Sequence, residues 1–232
     1  MPLNKVVITG CGAVSPFGIG TEVLMKNLFA GSSAVTSLRD QWKEKISDLN
    51  CWVGAPLKEE LPIKNIERKF RRTMGKTAIM GVLAATEAIK KAGLGSDALT
   101  SGRCGVSFSS TTGSTDSLSS FFEKYYDYAS LKDIPSGLFF QIMSHTTAAN
   151  VAHNFNIRGR VISPDAACSS SAQAIGLGYE AIREGAQDIM LCGGSDELHA
   201  IVCGTFDLLN ATSCRYNDRP SCLLYTSDAA DE

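Results

Sequence analysis

Residues 161–176 read VISPDAACSSSAQAIG, and this stretch predicts a strand, a small polar turn and the start of a helix. Residues 161–163 favour extended backbone. The helical part has apolar positions three and four apart on one face, at Ala172, Ile175, Tyr179 and Ile182. Gly185 is placed to end the helix, and residues 188–192 predict the next strand. A strand, a helix and a strand in this order are typical of an α/β domain.

Cys168 lies in the polar turn, which we expect to form the first turn of the helix. Unpaired N–H groups and the positive end of the helix dipole stabilise a thiolate there, and the same N–H groups can hold an oxyanion. Packing is the alternative interpretation, because cysteine is among the most buried residue types. We expect packing for the other cysteines and treat Cys168 as a candidate nucleophile.

The rest of the chain continues the alternation of strands and helices. Strands are predicted at residues 5–9 and 104–110. Helices are predicted at residues 21–30, 65–93, 118–128 and 138–155, and residues 36–62 predict a loop-rich excursion. This order predicts an α/β fold with a largely parallel sheet.

The composition excludes several classes of protein. The chain has 232 residues, 44% of them hydrophobic and 20% charged, which is typical of a globular protein. The net charge of -2 gives no reason to expect a nucleic-acid partner, and no apolar run is long enough to span a membrane. The eight cysteines lack the spacing of a zinc site or a disulfide framework, and no signal-peptide pattern opens the chain, so we expect a cytoplasmic location.

A glycine turn after the first predicted strand invites a comparison with dinucleotide-binding proteins. Residues 10–18 read GCGAVSPFG, but the third glycine of the dinucleotide fingerprint is replaced by Ser15, and Pro16 follows. A dinucleotide-dependent oxidoreductase is therefore the weaker alternative, and we expect neither a cofactor nor a metal.

Five stretches, taken in order, resemble motifs of the β-ketoacyl-acyl carrier protein synthases. They are VITGCGAVSPFG at residues 7–18, DAACSSSA at 165–172, GGSDE at 193–197, LNATS at 209–213 and YNDRP at 216–220. The last is closest to the synthase I type, within the synthase I/II group. The resemblance runs from about residue 5 to residue 220 and implies the N-terminal half of a thiolase-like fold, an αβαβα sandwich built from two similar halves.

The resemblance also implies an acyltransferase that acts as a homodimer on acyl carrier protein. Cys168 would take an acyl group as a thioester and pass it to a carbanion formed by decarboxylation of malonyl-acyl carrier protein. Its backbone N–H would be one of two oxyanion donors. Met143 falls where the family lines the acyl pocket. Lys69 and Arg72, within a basic stretch of residues 64–76, fall where synthase I types bind the acidic carrier protein.

Two catalytic histidines of the family have no counterpart in this chain. His145, His153 and His199 all stand outside the family's histidine motifs, so we assign none of them a catalytic role. We expect residues 1–220 to be the synthase N-terminal domain. Residues 221–232 depart from the family pattern, and from Cys222 onward they resemble a translated sequencing adapter, so we expect a tail foreign to the domain. Such a half is expected to be poorly soluble and inactive in condensation.

Two further classes of protein remain as alternatives. A non-catalytic partner subunit of the chain-length-factor type would share the fold, but such subunits lack the nucleophilic cysteine that this chain retains as Cys168. A cysteine hydrolase would need a histidine base, which the sequence does not identify.

Overall fold

The computed structural model describes residues 3–223, which form two compact units. Within the described residues, unit 1 comprises residues 3–14 and 61–197, and unit 2 comprises residues 15–60 and 198–223. The helices are α1 Thr21–Phe29, α2 Arg39–Trp42, α3 Arg68–Arg71, α4 Lys76–Lys91, α5 Ser96–Thr100, α6 Thr115–Tyr128, α7 Ser136–Gln141, α8 Thr146–Asn154, α9 Ser170–Arg183 and α10 Ala200–Leu208. The strands are β1 Val14–Ser15, β2 Gly18–Ile19, β3 Thr36–Ser37, β4 Val53–Gly54, β5 Cys104–Ser109, β6 Val161–Ile162 and β7 Ile189–Gly194.

A three-stranded parallel sheet with the order β6-β5-β7 forms the centre of unit 1. Val106 of β5 pairs with Val161 of β6 and with Leu191 of β7. Every residue of β5 is buried, as expected for the central strand of a parallel sheet with both faces covered. The predicted α/β fold with a parallel sheet is therefore confirmed.

Helices cover both faces of this sheet. On one face, Phe108 of β5 lies against Gly81 of α4, which also contacts Thr147 of α8. On the other face, Cys192 of β7 lies against Gly178 of α9. Because side chains alternate along a strand, successive residues of β5, and likewise of β7, pack against the helices on opposite faces of the sheet.

Helix α9 packs on the sheet through its small residues, not through its larger apolar ones. Its buried residues are Ser170, Ala174, Gly178 and Ala181. A Cβ atom on Gly178 would overlap the Sγ of Cys192, so only glycine allows this close approach. The helix was predicted correctly, but Ile175 and Tyr179 of its predicted apolar face are 56% and 45% exposed.

The predicted strand at residues 5–9 is absent from the described residues, and this prediction was wrong. Residues 5–9 take part in no strand pairing, and hydrogen bonds at the two ends of the segment join it to helices α9 and α4. The N–H of Asn4 donates to the carbonyl of Arg183 at 2.9 Å, and the N–H of Ala13 donates to Glu87 at 3.0 Å. Residues 6–12 line an apolar cavity of about 590 Å³ together with α4, α9 and β7.

The helix predicted at residues 65–93 is interrupted between α3 and α4. The side-chain amide of Asn150 donates to the carbonyl of Thr73 at 3.0 Å, and the hydroxyl of Thr73 donates back to Asn150 at 2.7 Å. Asn150 thus donates to a carbonyl that would accept a backbone hydrogen bond within the helix if the helix were continuous. Gly75 is extended, with φ -78° and ψ 178°, and α4 begins after it.

The helix predicted at residues 138–155 is likewise divided, into α7 and α8. Residues 142–145 form the turn between them, in which the N–H of Thr146 donates to the carbonyl of Met143 at 3.0 Å. The predicted helix ends at Gly93 and Gly185 are confirmed by left-handed φ angles of 65° and 77°.

Unit 2 has its own small core and its own antiparallel strand pair, β3 with β4. The buried side chains of this core are Leu38, Trp42, Leu49, Trp52 and Ala200. The side chain of Asn217 accepts from the N–H of Trp52 at 2.7 Å and donates to the carbonyl of Asn50 at 2.7 Å. The region of residues 36–62, predicted as loop-rich, therefore contains ordered packing around two tryptophans.

Candidate active site

Cys168 lies in the turn that connects β6 to α9. Its side chain is exposed, and it occupies the 3-10 turn Ala167–Ser169 directly before Ser170, the first residue of α9. The sequence predicted the first turn of the helix, and the structure places the residue just ahead of it. This turn follows the carboxyl end of a strand in a parallel sheet, where α/β proteins bind their ligands.

Local hydrogen bonds hold the backbone of this turn in an unusual conformation. Ala167 has φ 47°, in the left-handed region that residues other than glycine rarely adopt. The N–H and the hydroxyl of Ser169 donate to the carbonyl of Ala166 at 3.0 and 2.8 Å. The N–H of Ala166 donates to the Oγ of Ser170 at 2.8 Å.

The segment that leads into the turn is fixed by two serines from other elements. The hydroxyl of Ser109, the last residue of β5, donates to the carbonyl of Pro164. The hydroxyl of Ser144 donates to Asp165 at 3.2 Å. The half-buried Met143, the predicted acyl-pocket residue, directly precedes Ser144 in the chain.

Asp196 organises the loop that follows β5. Although its side chain is exposed, its carboxylate accepts from the hydroxyl of Ser110 at 2.9 Å and from the N–H of Thr111 at 2.7 Å. The hydroxyl of Thr111 lies 3.2 Å from the second carboxylate oxygen and 3.4 Å from the carbonyl of Ala167. The loops after β5 and β7 therefore meet beside the cysteine turn.

Glu197, the next residue, is buried and caps helix α6. Its carboxylate accepts from the N–H of Asp116 at 2.6 Å and from the hydroxyl of Ser114. Burial raises the pKa of Glu197, and the hydrogen bond from Asp116 only partly offsets that effect. A carboxylate at this position complements the positive end of the helix dipole.

The cysteines of the described residues differ in exposure. Burial raises the pKa of the thiols of Cys104, Cys192 and Cys203 to about 11, so these thiols are protonated at neutral pH. Cys168, Cys11 and Cys214 are exposed. Of the exposed three, only Cys168 lies in the turn described above, two residues before the start of the 14-residue helix α9.

The basic stretch lies on and around α3. Lys69 is exposed, pairs with Glu67 at 2.9 Å and lies 4.7 Å from the ring of Phe70. Arg72 is exposed at the end of α3, and its carbonyl accepts from the side chain of Gln141 at 3.4 Å. Both predicted docking residues are therefore accessible to a partner.

The histidines occupy structural positions. His153 of α8 packs edge-on against Phe70, with ring centroids 4.9 Å apart. The Nδ1 of His199 accepts from the N–H of Ile201 and caps α10, and His145 precedes α8. Among residues 3–223, no group of side chains is arranged to hold a metal ion, and no helix is long and apolar enough to cross a membrane.

Sequence reasoning did not identify Thr111 and Asp196 as neighbours of the cysteine turn. The available signal was that each belongs to a small polar loop directly after a strand. Parallel strands bring their carboxyl ends to one edge of a sheet, so such loops are expected to meet. The sequence does not state which strands are adjacent, and the pairing of β5 with β7 decides it.

Comparison with known proteins gives a family for this arrangement. Residues 3–229 match the family model of the beta-ketoacyl synthase N-terminal domain. A 3-oxoacyl-[acyl-carrier-protein] synthase 1 of Haemophilus influenzae is 30% identical over 218 residues, covering 94% of this chain and 53% of that protein. The chain spans about half the length of the curated relatives it matches.

Solved structures confirm the predicted thiolase-like fold. The crystal structure of a beta-ketoacyl synthase from Burkholderia phymatum matches with a TM-score of 0.86 and 36% identity, covering 95% of this chain and 53% of that chain. The ishigamide ketosynthase/chain length factor matches with a TM-score of 0.81 and 23% identity, covering 91% of this chain and 52% of that chain. The second match shows the fold alone.

Proposed function

Because the chain belongs to the β-ketoacyl synthase family, through that family's N-terminal domain, we propose that it carries the acyl-accepting nucleophile of a 3-oxoacyl-[acyl-carrier-protein] synthase. The observation that carries this proposal is the exposed Cys168 in the turn between β6 and α9. The buried thiols of unit 1, with pKa values near 11, offer no comparable nucleophile.

In the first step of the proposed reaction, the Sγ of Cys168 attacks the carbonyl carbon of an acyl thioester. A new S–C bond forms, the bond to the sulfur of the carrier protein's prosthetic group breaks, and that sulfur leaves as a thiol after taking up a proton. The backbone N–H of Cys168 is one oxyanion donor in this proposal. The N–H groups of Ser169 and Ser170 are already used by the carbonyls of Ala166 and Ala167.

In the second step, malonyl-carrier protein loses carbon dioxide, and the resulting carbanion attacks the acyl-cysteine carbonyl. A C–C bond forms, the thioester bond to Cys168 breaks, and the released thiolate takes up a proton from solvent as the β-ketoacyl product leaves. We propose that two histidines in a following half of the protein bind the malonyl group. The term complete protein is used below for this chain continued to the length of its relatives. We propose that the complete protein is a cytoplasmic homodimer.

The proposed partner is the acidic acyl carrier protein, bound through Lys69 and Arg72. Both side chains are exposed, and the ion pair of Lys69 with Glu67 is itself exposed and therefore weak enough to exchange for a partner's carboxylate. Opposite charge also accelerates the encounter of the two proteins at low ionic strength. We assign Met143 to the acyl pocket on the same basis of resemblance, and the next residue, Ser144, is hydrogen-bonded to Asp165 of the segment before the cysteine turn.

The test is acylation of the complete protein by acyl-carrier protein, followed by intact-mass and peptide mass spectrometry. We expect one thioester, on Cys168. Cys168→Ser should abolish it, whereas Cys214→Ser, which removes another exposed cysteine, should leave it unchanged. A thioester that persists on another cysteine in Cys168→Ser would refute the proposal.

A non-catalytic chain-length-factor type of subunit is the second candidate, favoured only by the shared fold. It predicts no acylation of Cys168 under conditions in which a partner subunit becomes acylated. The retained cysteine at the turn supports the enzyme instead.

We further propose that the 232-residue chain alone does not catalyse condensation and is poorly soluble. Large apolar side chains are exposed in unit 1 at Val7, Ile8, Ile175 and Tyr179, and in unit 2 at Leu208 and Leu209. Exposed apolar faces of this kind favour association. Size-exclusion chromatography of the chain and of the complete protein tests this, and a monodisperse chain that forms β-ketoacyl product would contradict it.

A further inference from the structure

The carboxylate of Asp196 is a point of convergence between two loops of unit 1. Three donor groups from residues 110–111 point to it: the hydroxyl of Ser110, the N–H of Thr111 and the hydroxyl of Thr111. The same serine hydroxyl oxygen accepts from the N–H of Gly113 at 3.0 Å. Asp196 therefore fixes the conformation of the loop that follows β5, although it lies 85 residues away from Thr111 in the sequence.

Thr111 connects this loop to the cysteine turn. Its hydroxyl lies between two acceptors, the carboxylate of Asp196 at 3.2 Å and the carbonyl of Ala167 at 3.4 Å. The single hydrogen of this hydroxyl can be donated to either oxygen, so Thr111 links the carboxylate to the peptide bond that follows Ala167. The carbonyl of Ala167 belongs to the peptide bond whose nitrogen is that of Cys168, so this contact bears directly on the orientation of the Cys168 N–H.

Ala167 needs such support because its backbone is strained. With φ 47° and a side chain, it occupies a region that persists only where surrounding contacts enforce it. A relaxed turn would rotate the peptide between Ala167 and Cys168 and move the thiol away from the start of α9. The N–H of Ser170, which donates to the same carbonyl, and the hydroxyl of Thr111 both oppose that rotation.

We infer that Asp196 is a positioning residue for Cys168, acting through Thr111 on the peptide bond between Ala167 and Cys168. The inference rests on the proposed function, because it assigns Asp196 a role in presenting the acyl-accepting thiol. Asp196 and Thr111 do not react with the substrate in this account. They orient the nucleophile and its N–H.

The test measures how fast iodoacetamide alkylates each cysteine of the complete protein, with peptide mass spectrometry as the readout. Asp196→Asn and Thr111→Val are the test variants, and Thr111→Ser is the conservative variant that keeps the hydroxyl. Asp188→Asn is the matched control, since it removes a carboxylate next to the opposite end of β7. Cys11 and Cys214, both exposed, serve as internal references in every sample.

We expect both test variants to alkylate Cys168 about threefold to tenfold more slowly, as for the loss of one hydrogen bond, with the reference cysteines unchanged. Thr111→Ser and Asp188→Asn should react as the wild type does. In acyl transfer, the test variants should lower kcat and leave KM for the acyl-carrier protein unchanged. Wild-type alkylation of Cys168 in both test variants would overturn the inference, and so would an equal change at all exposed cysteines.

Acylation of the wild type separates this inference from the proposed function. If acyl-carrier protein does not acylate wild-type Cys168, the proposed function fails. The alkylation comparison uses no carrier protein and still decides whether Asp196 controls the presentation of the thiol.

Discussion

Asp207 and Asn50 are 157 residues apart in the sequence, yet the carboxylate of Asp207 accepts hydrogen bonds from both the backbone N–H and the side-chain amide of Asn50. The N–H of Cys51 and the hydroxyl of Thr212 donate to its other oxygen. Burial opposes ionisation, but these hydrogen bonds, above all that of Thr212, outweigh it and hold the pKa of Asp207 below its usual range. Within unit 2, this carboxylate joins residues 50–51 to α10.

Asp207→Asn should lower the free energy of unfolding of the complete protein by about 1–3 kcal/mol at pH 7. The NH₂ group of the new amide would face hydrogen-bond donors, from which it cannot accept. The folded pKa is depressed, so this stabilisation is present above the unfolded pKa and is lost as the pH falls through the folded value. Urea titrations should show the wild-type advantage narrowing below about pH 4. The exposed Asp218→Asn is the control. A difference that stays constant down to pH 2 would contradict this account.

Glu197 should show the opposite pH dependence. Its folded pKa is raised, mainly by burial, so its contribution is most favourable below the unfolded pKa and declines as the pH rises through the folded value. Glu197→Gln keeps an oxygen acceptor for the N–H of Asp116 and removes the buried charge. We therefore expect the variant to gain stability relative to the wild type as the pH rises from about 4.5 to 8. The exposed Glu123→Gln, on the same helix α6, should show no such trend.

Iodoacetamide labelling at pH 7 should divide the cysteines by exposure. Cys104, Cys192 and Cys203 have thiol pKa values of about 11, so roughly one molecule in 10,000 carries the thiolate at any of them. We expect these three to stay unmodified while Cys168 reacts. Peptide mass spectrometry after a short exposure to iodoacetamide measures the labelled fraction of each cysteine. Rapid labelling of Cys104 in the folded protein would show that its thiol is not buried.

Two glycines of α9 provide a matched pair of substitutions. Gly178→Ala should lower the free energy of unfolding by about 1–3 kcal/mol, because the new methyl group overlaps the Sγ of Cys192. Gly176→Ala should raise it by about 0.5–1 kcal/mol, because nothing lies within 4 Å and alanine favours the helix. Thermal unfolding of both variants tests the close approach of α9 to β7. Equal effects of the two substitutions on stability would show that α9 does not approach β7 closely at Gly178.

The local features of this chain could be predicted from its sequence. The turn at Cys168, the helix after it and its end at Gly185 depend on neighbouring residues, and the structure shows all three. Strand β5 was likewise predicted, from a short segment of residues 104–110 that is followed directly by a small polar loop.

The errors arose where distant contacts override local preference. Asn150 interrupts the helix at Thr73 from 77 residues away, and no local pattern indicates that bond. The β-forming residues 5–9 form no strand, and the segment is bonded to helices at its two ends, through Asn4 to Arg183 and through Ala13 to Glu87. On α9, periodicity selected the larger apolar side chains, whereas close packing on a sheet favours the small ones at Ala174 and Gly178.

Similar reasoning explains the candidate site. Cys168 could be found because its reactivity depends on the turn in which it lies. Asp196 could not, because its contact with Thr111 spans 85 residues and depends on which strands are adjacent.

The anchoring of Asn4 to Arg183 has a practical consequence for labelling the protein. Arg183 ends α9, whereas Cys168 precedes its first residue, and a helix of 14 residues is roughly 21 Å long. A fluorophore or affinity handle attached at the exposed Leu3, next to Asn4, would therefore report on the far end of the helix that follows the thiol. Distance measurements from that handle to a label on Cys168 would span the length of the helix and report whether it stays intact.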